Sequence, residues 1–320
     1  ILCRFFLPSS GNPPLDIESR LSNRDLPANT LRLHNRAAMK AILRGSTAVV
    51  SGAGSGIGRA TALLLARKGV RVHAADIDGE RASSVAEEIE ALGGFAEAHA
   101  VDISDSVAVT AFAASLRARG ERVDILVNNA GICTAGPVEK ADIADWRRIV
   151  GTNLLGTVQM TSAFLPEMLA RGRGHIVNVA SLAGLVAFPF VAPYTASKHA
   201  LVGLSAAMNM ELSCRGVITT AVCPGAVRTA LYTDSPIELP GLARERIVGL
   251  ISRFAIPPET IAKDIVRAVV KRRTLVVRAG PARPLWLLSR LAPRLFLWAS
   301  RIALGRALGR AETKKSVEIR

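Results

Sequence analysis

The stretch Ser46 to Asp78, STAVVSGAGSGIGRATALLLARKGVRVHAADID, decides the fold class. It opens on an apolar run at Ala48 to Val50, crosses a glycine-rich turn, continues as a helix expected over Ile57 to Lys68, and ends in a second apolar run at Val70 to Ala75. A strand, a helix and a second strand joined this way form a parallel pair with a crossover helix. Within the turn, Gly52 permits the bend, Gly56 lets the backbone approach a pyrophosphate, and Gly58 lets the helix pack closely on the sheet. The helix start then offers unpaired N–H groups to phosphates. Asp76 ends the second run, where a carboxylate can accept hydrogen bonds from both adenosine ribose hydroxyls and would repel a 2′-phosphate. NAD(H) is therefore the favoured cofactor. NADP(H) stays open, because Arg59 and Arg81 lie near the same turn.

The alternation continues outward. Helices are expected over Gly79 to Leu92, Val107 to Arg117, Trp146 to Met168, Ala196 to Cys214 and Pro258 to Lys271. Strands are expected ending at Val101 and in VDILVNNAG, GHIVNVAS and VITTAVCPG, with TLVV as a candidate last strand. This order implies a doubly wound, Rossmann-like parallel α/β sheet covered on both faces, in a single domain. The expected division is a loose extension over 1–41, a catalytic domain over 42–275 and a basic, apolar extension over 276–320. Met39 is a candidate natural start. The uncharged segment Ile176 to Ser197 is long enough for a membrane span, but Asn178, Ser181, Pro189, Pro193 and Tyr194 interrupt it. A buried strand followed by a site loop accounts for it better.

The formal net charge of +15 divides unevenly. Residues 46–270 carry as many acids as bases, and the excess sits at the two ends. With a neutral body and no reading element, nucleic acid is not an expected partner. The four cysteines are scattered, and no Cys/His cluster has metal-ligand spacing. No metal is expected, and reduced thiols suit a cytoplasmic setting.

In YTASK, Tyr194 and Lys198 stand four apart on an expected helix, hence on one face. A tyrosine can exchange a proton with a substrate oxygen only if its pKa falls from about 10 toward the working pH. An ammonium one turn away would do that. Ser181, just after a strand, can hydrogen-bond the same oxygen.

On these motifs the chain resembles the short-chain dehydrogenase/reductase family. SGAGSGIG is similar to the family's cofactor turn, with Ser51 where Thr is more usual. VDIS is similar to its adenine-side segment, NNAG to its segment beside the cofactor, GTNLLG to its active-site asparagine segment, and CPGAVRT to the segment over the nicotinamide. The resemblance implies Asn153, Ser181, Tyr194 and Lys198 as catalytic residues. It implies cofactor contacts from Ser51, Gly52, Ser55, Gly56, Ile57, Gly58, Asp76, Asp102, Ile103, Asn129, Ala130, Gly131, Tyr194, Lys198, Pro224, Gly225, Val227 and Thr229. Tyr194 would protonate the carbonyl oxygen in reduction, Ser181 would orient it, and Lys198 would lower the tyrosine pKa and hold the nicotinamide ribose. A homodimer or homotetramer is also implied.

The segments LAGLVAFPFVAP and ALYTDSPIELPGLARERIVGLISRFAIPPE suggest an apolar pocket, so a lipid- or steroid-like alcohol or ketone is the leading substrate class. The competing readings are a ketoacyl or polyketide-type carbonyl reductase, which would favour NADPH, and a non-catalytic nucleotide-binding regulator. Arg283 to Arg310 mixes apolar residues with recurrent arginines. Its apolar runs are too short to span a membrane. It is expected either to lie on an anionic membrane, with Arg290, Arg294 and Arg301 at one edge and Trp286, Leu291, Leu295, Trp298 and Ile302 on the apolar side, or to fold back on the enzyme as a hairpin broken at Pro293.

Overall fold

A computed structural model describes residues 43–239 and 243–318. Seven parallel strands lie in the order β3-β2-β1-β4-β5-β6-β7: β1 Thr47–Ser51, β2 Arg71–Asp76, β3 Phe95–Ala100, β4 Val123–Asn128, β5 Gly174–Val179, β6 Val217–Pro224 and β7 Leu275–Arg278. The order reverses between β1 and β4, which opens a crevice at the carboxyl ends of the strands. The expectation for residues 1–41 lies outside the described residues.

Helices α1 Gly56–Ala66, α2 Gly79–Ala91, α3 Ser106–Ala118, α4 Ile143–Val150, α5 Thr157–Ala170 and α6 Ala192–Leu212 follow the alternation. Short acids define their starts: Asp78, Asp105 and Asp142 each accept a hydrogen bond from a first-turn N–H of α2, α3 and α4. After β6 come α7 Ala230–Asp234, α8 Arg244–Phe254 and α9 Pro258–Lys271. One face of the sheet buries Leu65 of α1, Ile89 of α2, and Ile261 and Ile265 of α9 against Val50, Val72 and Val127. The other buries Phe112 and Leu116 of α3 and Met160 and Met168 of α5 against Val49, Leu126 and Ile176. Both faces are covered, as uniformly apolar parallel strands require.

Two features depart from the sequence expectation. The single helix expected over Trp146 to Met168 is divided by a π-helical segment, Gly151–Gly156, between α4 and α5. Apolar periodicity does not register such a wide turn, and wide turns of this kind are frequent at functional sites. The expected domain boundary at 275 also falls inside β7, which pairs with β6 from Leu275 through Arg278. Arg278 then fastens β7 to α9, donating from Nε and Nη2 to the Asp264 carboxylate at 2.6 and 2.8 Å.

The last two helices, α10 Arg283–Leu291 and α11 Pro293–Glu318, are separated at Pro293, as expected. Trp286, Leu288 and Phe296 pack with Leu182, Val186 and Phe188, immediately after Ser181. Trp286 therefore belongs to an internal contact, which corrects its placement on a membrane-facing side. Leu291, Leu295 and Trp298 stay exposed, at 82%, 50% and 62%.

Candidate active site

A cleft of about 540 Å³ opens at the carboxyl ends of the strands, over the β1–β4 switch. It is lined by every site residue expected from sequence except Ser51, Gly58 and Asn153.

The turn after β1 is held from below. Fully buried Ser51 accepts from the Asn129 and Ala130 backbone N–H groups at 3.1 and 3.2 Å, and Asn129 returns bonds to the Ser51 and Gly52 carbonyls. Ser51 therefore joins β1 to the end of β4 and does not face the cleft. Gly56 has φ of +51°, and a Cβ there would lie 2.7 Å from a Thr229 methyl. A Cβ on Gly58 would sit 2.0 Å from the Gly52 carbonyl oxygen, so only glycine lets α1 start this close to β1. Ser55, the residue before α1, makes no side-chain cap, which leaves the first N–H groups of α1 for a ligand. This cradle, together with the acids beside it, fits a dinucleotide.

Asp76 stands at the rim. One carboxylate oxygen accepts from Gly54 N–H at 2.8 Å and the other from Asp78 N–H at 3.0 Å, so its position is fixed by the turn it serves. Arg81 also lines the rim, with Nε 3.0 Å from Asp78. Arg59 does not line this cleft; it pairs with Glu88. Asp102 accepts from Ser104 N–H and Oγ through a single oxygen, at 2.8 and 2.7 Å.

At the inner end are Ser181, Tyr194 and Lys198. The end of β5 delivers Ser181, and the first turns of α6 carry Tyr194 and Lys198. Lys198 is buried; its Nζ donates to the Val179 carbonyl at 2.9 Å and lies 5.6 Å from the centre of the Tyr194 ring. Burial pushes the Tyr194 phenol up, Tyr232 and Cys133 add to this, and a hydrogen bond with Ser181 opposes it. Burial pushes Lys198 down to about 8. The Lys198 ammonium sits over the Tyr194 ring and is already bonded to a carbonyl.

Asn153, in the π-helical segment, is fully buried. Its Oδ1 accepts from Ile132 N–H at 2.8 Å, and its Nδ2 donates to the Ile132 carbonyl and to Ser197 Oγ, each at 3.0 Å. The side chain thereby locks the exit of β4 to α6.

The cleft also takes in Ile132, Cys133, Arg148, Leu231, Tyr232, Ser235 and Pro236, which sequence reasoning did not single out. Only the ALYTDSP run offered a signal for some of them. The apolar loop after Ser181 supplies no lining, since Leu182 and Val186 are buried against α10 and α11. None of the described residues of α10 or α11 lines the cleft either.

A model of the short chain dehydrogenase family matches residues 46–238. The chain is similar to D-threitol dehydrogenase of Mycolicibacterium smegmatis, 37% identical over 74% of this chain and 93% of that one. It is also 37% identical to the "Probable oxidoreductase EphD" of Mycobacterium tuberculosis over 81% of its length, but spans only 45% of that relative. Among solved structures, a short chain dehydrogenase/reductase from Burkholderia phymatum in complex with NAD superposes with a TM-score of 0.70 at 28% identity, covering 79% of this chain and 95% of that one. A gluconate 5-dehydrogenase candidate from Beutenbergia cavernae with bound NADP at low occupancy gives 0.67 at 37% identity, covering 77% and 98%. The chain belongs to the short-chain dehydrogenase/reductase family and is an NAD(P)-dependent oxidoreductase of that type.

Proposed function

We propose that the enzyme interconverts a secondary alcohol and a ketone, or an alcohol and an aldehyde, on an apolar, lipid- or steroid-like substrate, with NAD(H) favoured. The observation that carries the chemistry is the Tyr194, Ser181 and Lys198 group at the inner end of the cleft. A bound nicotinamide cofactor supplies or accepts the hydride. In reduction, Tyr194 gives its proton to the substrate oxygen while Ser181 orients that oxygen by a hydrogen bond. Lys198, cationic below about pH 8, favours the phenolate left behind. Asn153 positions Ile132 and Ser197 around this group through its three bonds. Oxidation reverses these steps. The cofactor contacts are assigned to the sequence-expected residues that line the cleft, and Ser51 and Gly58 serve by shaping the turn.

Support for NAD(H) is the Asp76 carboxylate fixed at the rim. Support for an apolar substrate is Ile132, Leu231, Tyr232 and Pro236. Similarity to the acyl-carrier-protein ketoacyl reductase FabG of Thermotoga maritima, 33% identical over 70% of this chain, favours ketoacyl reduction as the second reading. Fluorescence titration with NADH and NADPH, followed by a screen of long-chain ketones, steroids and polyols, separates the two. Tighter NADPH binding with ketoacyl turnover would replace the first reading by the second. Tyr194→Phe should lower turnover by roughly 10²-fold or more while NADH still binds; retained turnover would remove the proton-transfer assignment.

The proposed setting is the cytoplasm, at the surface of an anionic membrane. No described helix is long and apolar enough to cross a membrane. Contact through α10 and α11 is supported by exposed Leu291, Leu295 and Trp298 beside Arg290 and Arg294. Leu291→Ser with Trp298→Ser should abolish sedimentation with phosphatidylserine vesicles; if the parent does not sediment, the contact is refuted. A homodimer or homotetramer is supported by exposed Val158 of α5 and Met210 of α6, and mass photometry tests it.

A further inference from the structure

Away from the cleft, the β2–β3 pairing gathers a second group of side chains. The register sets His73 beside Glu97 and Ala75 beside His99. Alternation along each strand then turns His73, Glu97 and His99 to one face. His73 Nδ1 lies 3.1 Å from His99 Nε2 and 3.6 Å from Glu97 Oε2, and His99 Nε2 lies 3.9 Å from Glu97 Oε1. Tetrahedral ligands about 2.0–2.1 Å from a zinc ion stand roughly 3.3 Å apart, so a small closure of this triangle would enclose one.

We propose that His73, Glu97 and His99 form a binding site for one divalent transition-metal ion, Zn²⁺ by ligand chemistry, which clips the edge strand β3 to β2. Two imidazoles and a carboxylate suit zinc, and half-exposed Glu97 leaves the fourth position open to water. The histidines are already oriented. The His99 ring packs 4.7 Å from Phe112, and His73 is fully buried with its Nε2 lacking a hydrogen-bond partner. The Glu121 carboxylate lies 4.0 Å behind that Nε2, where a metal-ligating histidine commonly finds a carboxylate. Burial lowers the pKa of both rings, which leaves them neutral at pH 7.

The surrounding cations are accounted for. Arg119 bonds Glu97 Oε1 at 2.6 Å and leaves Oε2 facing His73. Arg71 is held by Glu121 at 3.0 Å and by the Phe95 ring. Spacing in the sequence hides the group because His73 and His99 meet only through strand pairing.

The test uses the whole chain, stripped by a chelator and titrated with Zn²⁺ against a chromophoric competitor, with Co²⁺ absorption reporting geometry. The expected result is about one ion per chain, tetrahedral Co²⁺ bands, and a melting temperature raised by roughly 5–10 °C at about 100-fold excess over Kd. Glu97→Gln and His99→Gln should lose binding and the thermal shift, while melting without metal within a few degrees of the stripped parent. Arg119→Gln, which removes a competing cation from an exposed position, should bind several-fold tighter. No saturable binding by the parent, binding retained in both ligand variants, or unchanged affinity in Arg119→Gln would overturn the proposal.

Discussion

Protonating His175 should be an acid liability of the sheet. The residue lies in β5, 5% exposed, with Nε2 2.7 Å from Thr220 Oγ1. That hydroxyl donates to the Arg273 carbonyl, so Nε2 carries the proton that Thr220 accepts, and a second proton would place an unpaired charge inside the protein. Burial, with a smaller contribution from Arg272, lowers the pKa to about 3 from 6.5. The folded value is the depressed one, so the stabilising effect is complete above pH 6.5 and is lost as pH falls toward 3. Between about pH 7.5 and about pH 5 the loss works out at about 2 kcal/mol, because the unfolded ring takes up a proton that the folded ring refuses. Urea unfolding of the parent and of His175→Gln at those two pH values measures it. The glutamine amide can still donate to Thr220 but cannot titrate, so its pH difference should be smaller by about that amount. Equal pH differences in the two proteins would show that the ring is solvated or protonated in the native state.

Asn153→Ala removes three bonds and leaves the Ile132 backbone and Ser197 partly unsatisfied, so it should cost about 3 kcal/mol in urea unfolding; a cost below about 1 kcal/mol would show that water replaces the amide. Gly58→Ala forces a methyl against the Gly52 carbonyl and should destabilise by roughly 1–3 kcal/mol or more, with NADH fluorescence enhancement lost; unchanged NADH binding would contradict the close packing of α1. Carbonyl reduction should fall as pH rises through about 8, where Lys198 gives up its proton, and that limb should vanish in Lys198→Met. A flat profile to about pH 9.5 in the parent would remove the charge from the mechanism.

Much of the fold was written in local patterns. Strand alternating with helix predicted the order of elements, and the glycines of Ser51 to Gly58 with Asp76 located the rim of the cleft. Tyr194 and Lys198 were legible because four residues on a helix fix a shared face. Patterns of short range said nothing about register, which is why the His73, Glu97 and His99 group escaped notice. They also could not separate an apolar residue that lines a cavity from one that fills a core. Leu182 and Val186, read as pocket, are packed beneath Trp286 and Phe296. The π-helical segment was missed for a similar reason: one extra residue in a turn leaves the apolar spacing around Asn153 nearly unchanged.

The seat of Trp286 against Val186 changes how this protein can be shortened. A chain cut near residue 280 would keep all seven strands and every cleft-lining residue, and would look complete by any motif. It would also uncover Leu182, Val186 and Phe188, which follow Ser181 in the chain. Poor activity or aggregation in such a fragment would report a stripped apolar seam and would say nothing about attachment to lipid. For crystallisation or engineering, the inner surface of α10 and α11 has to be treated as part of the enzyme.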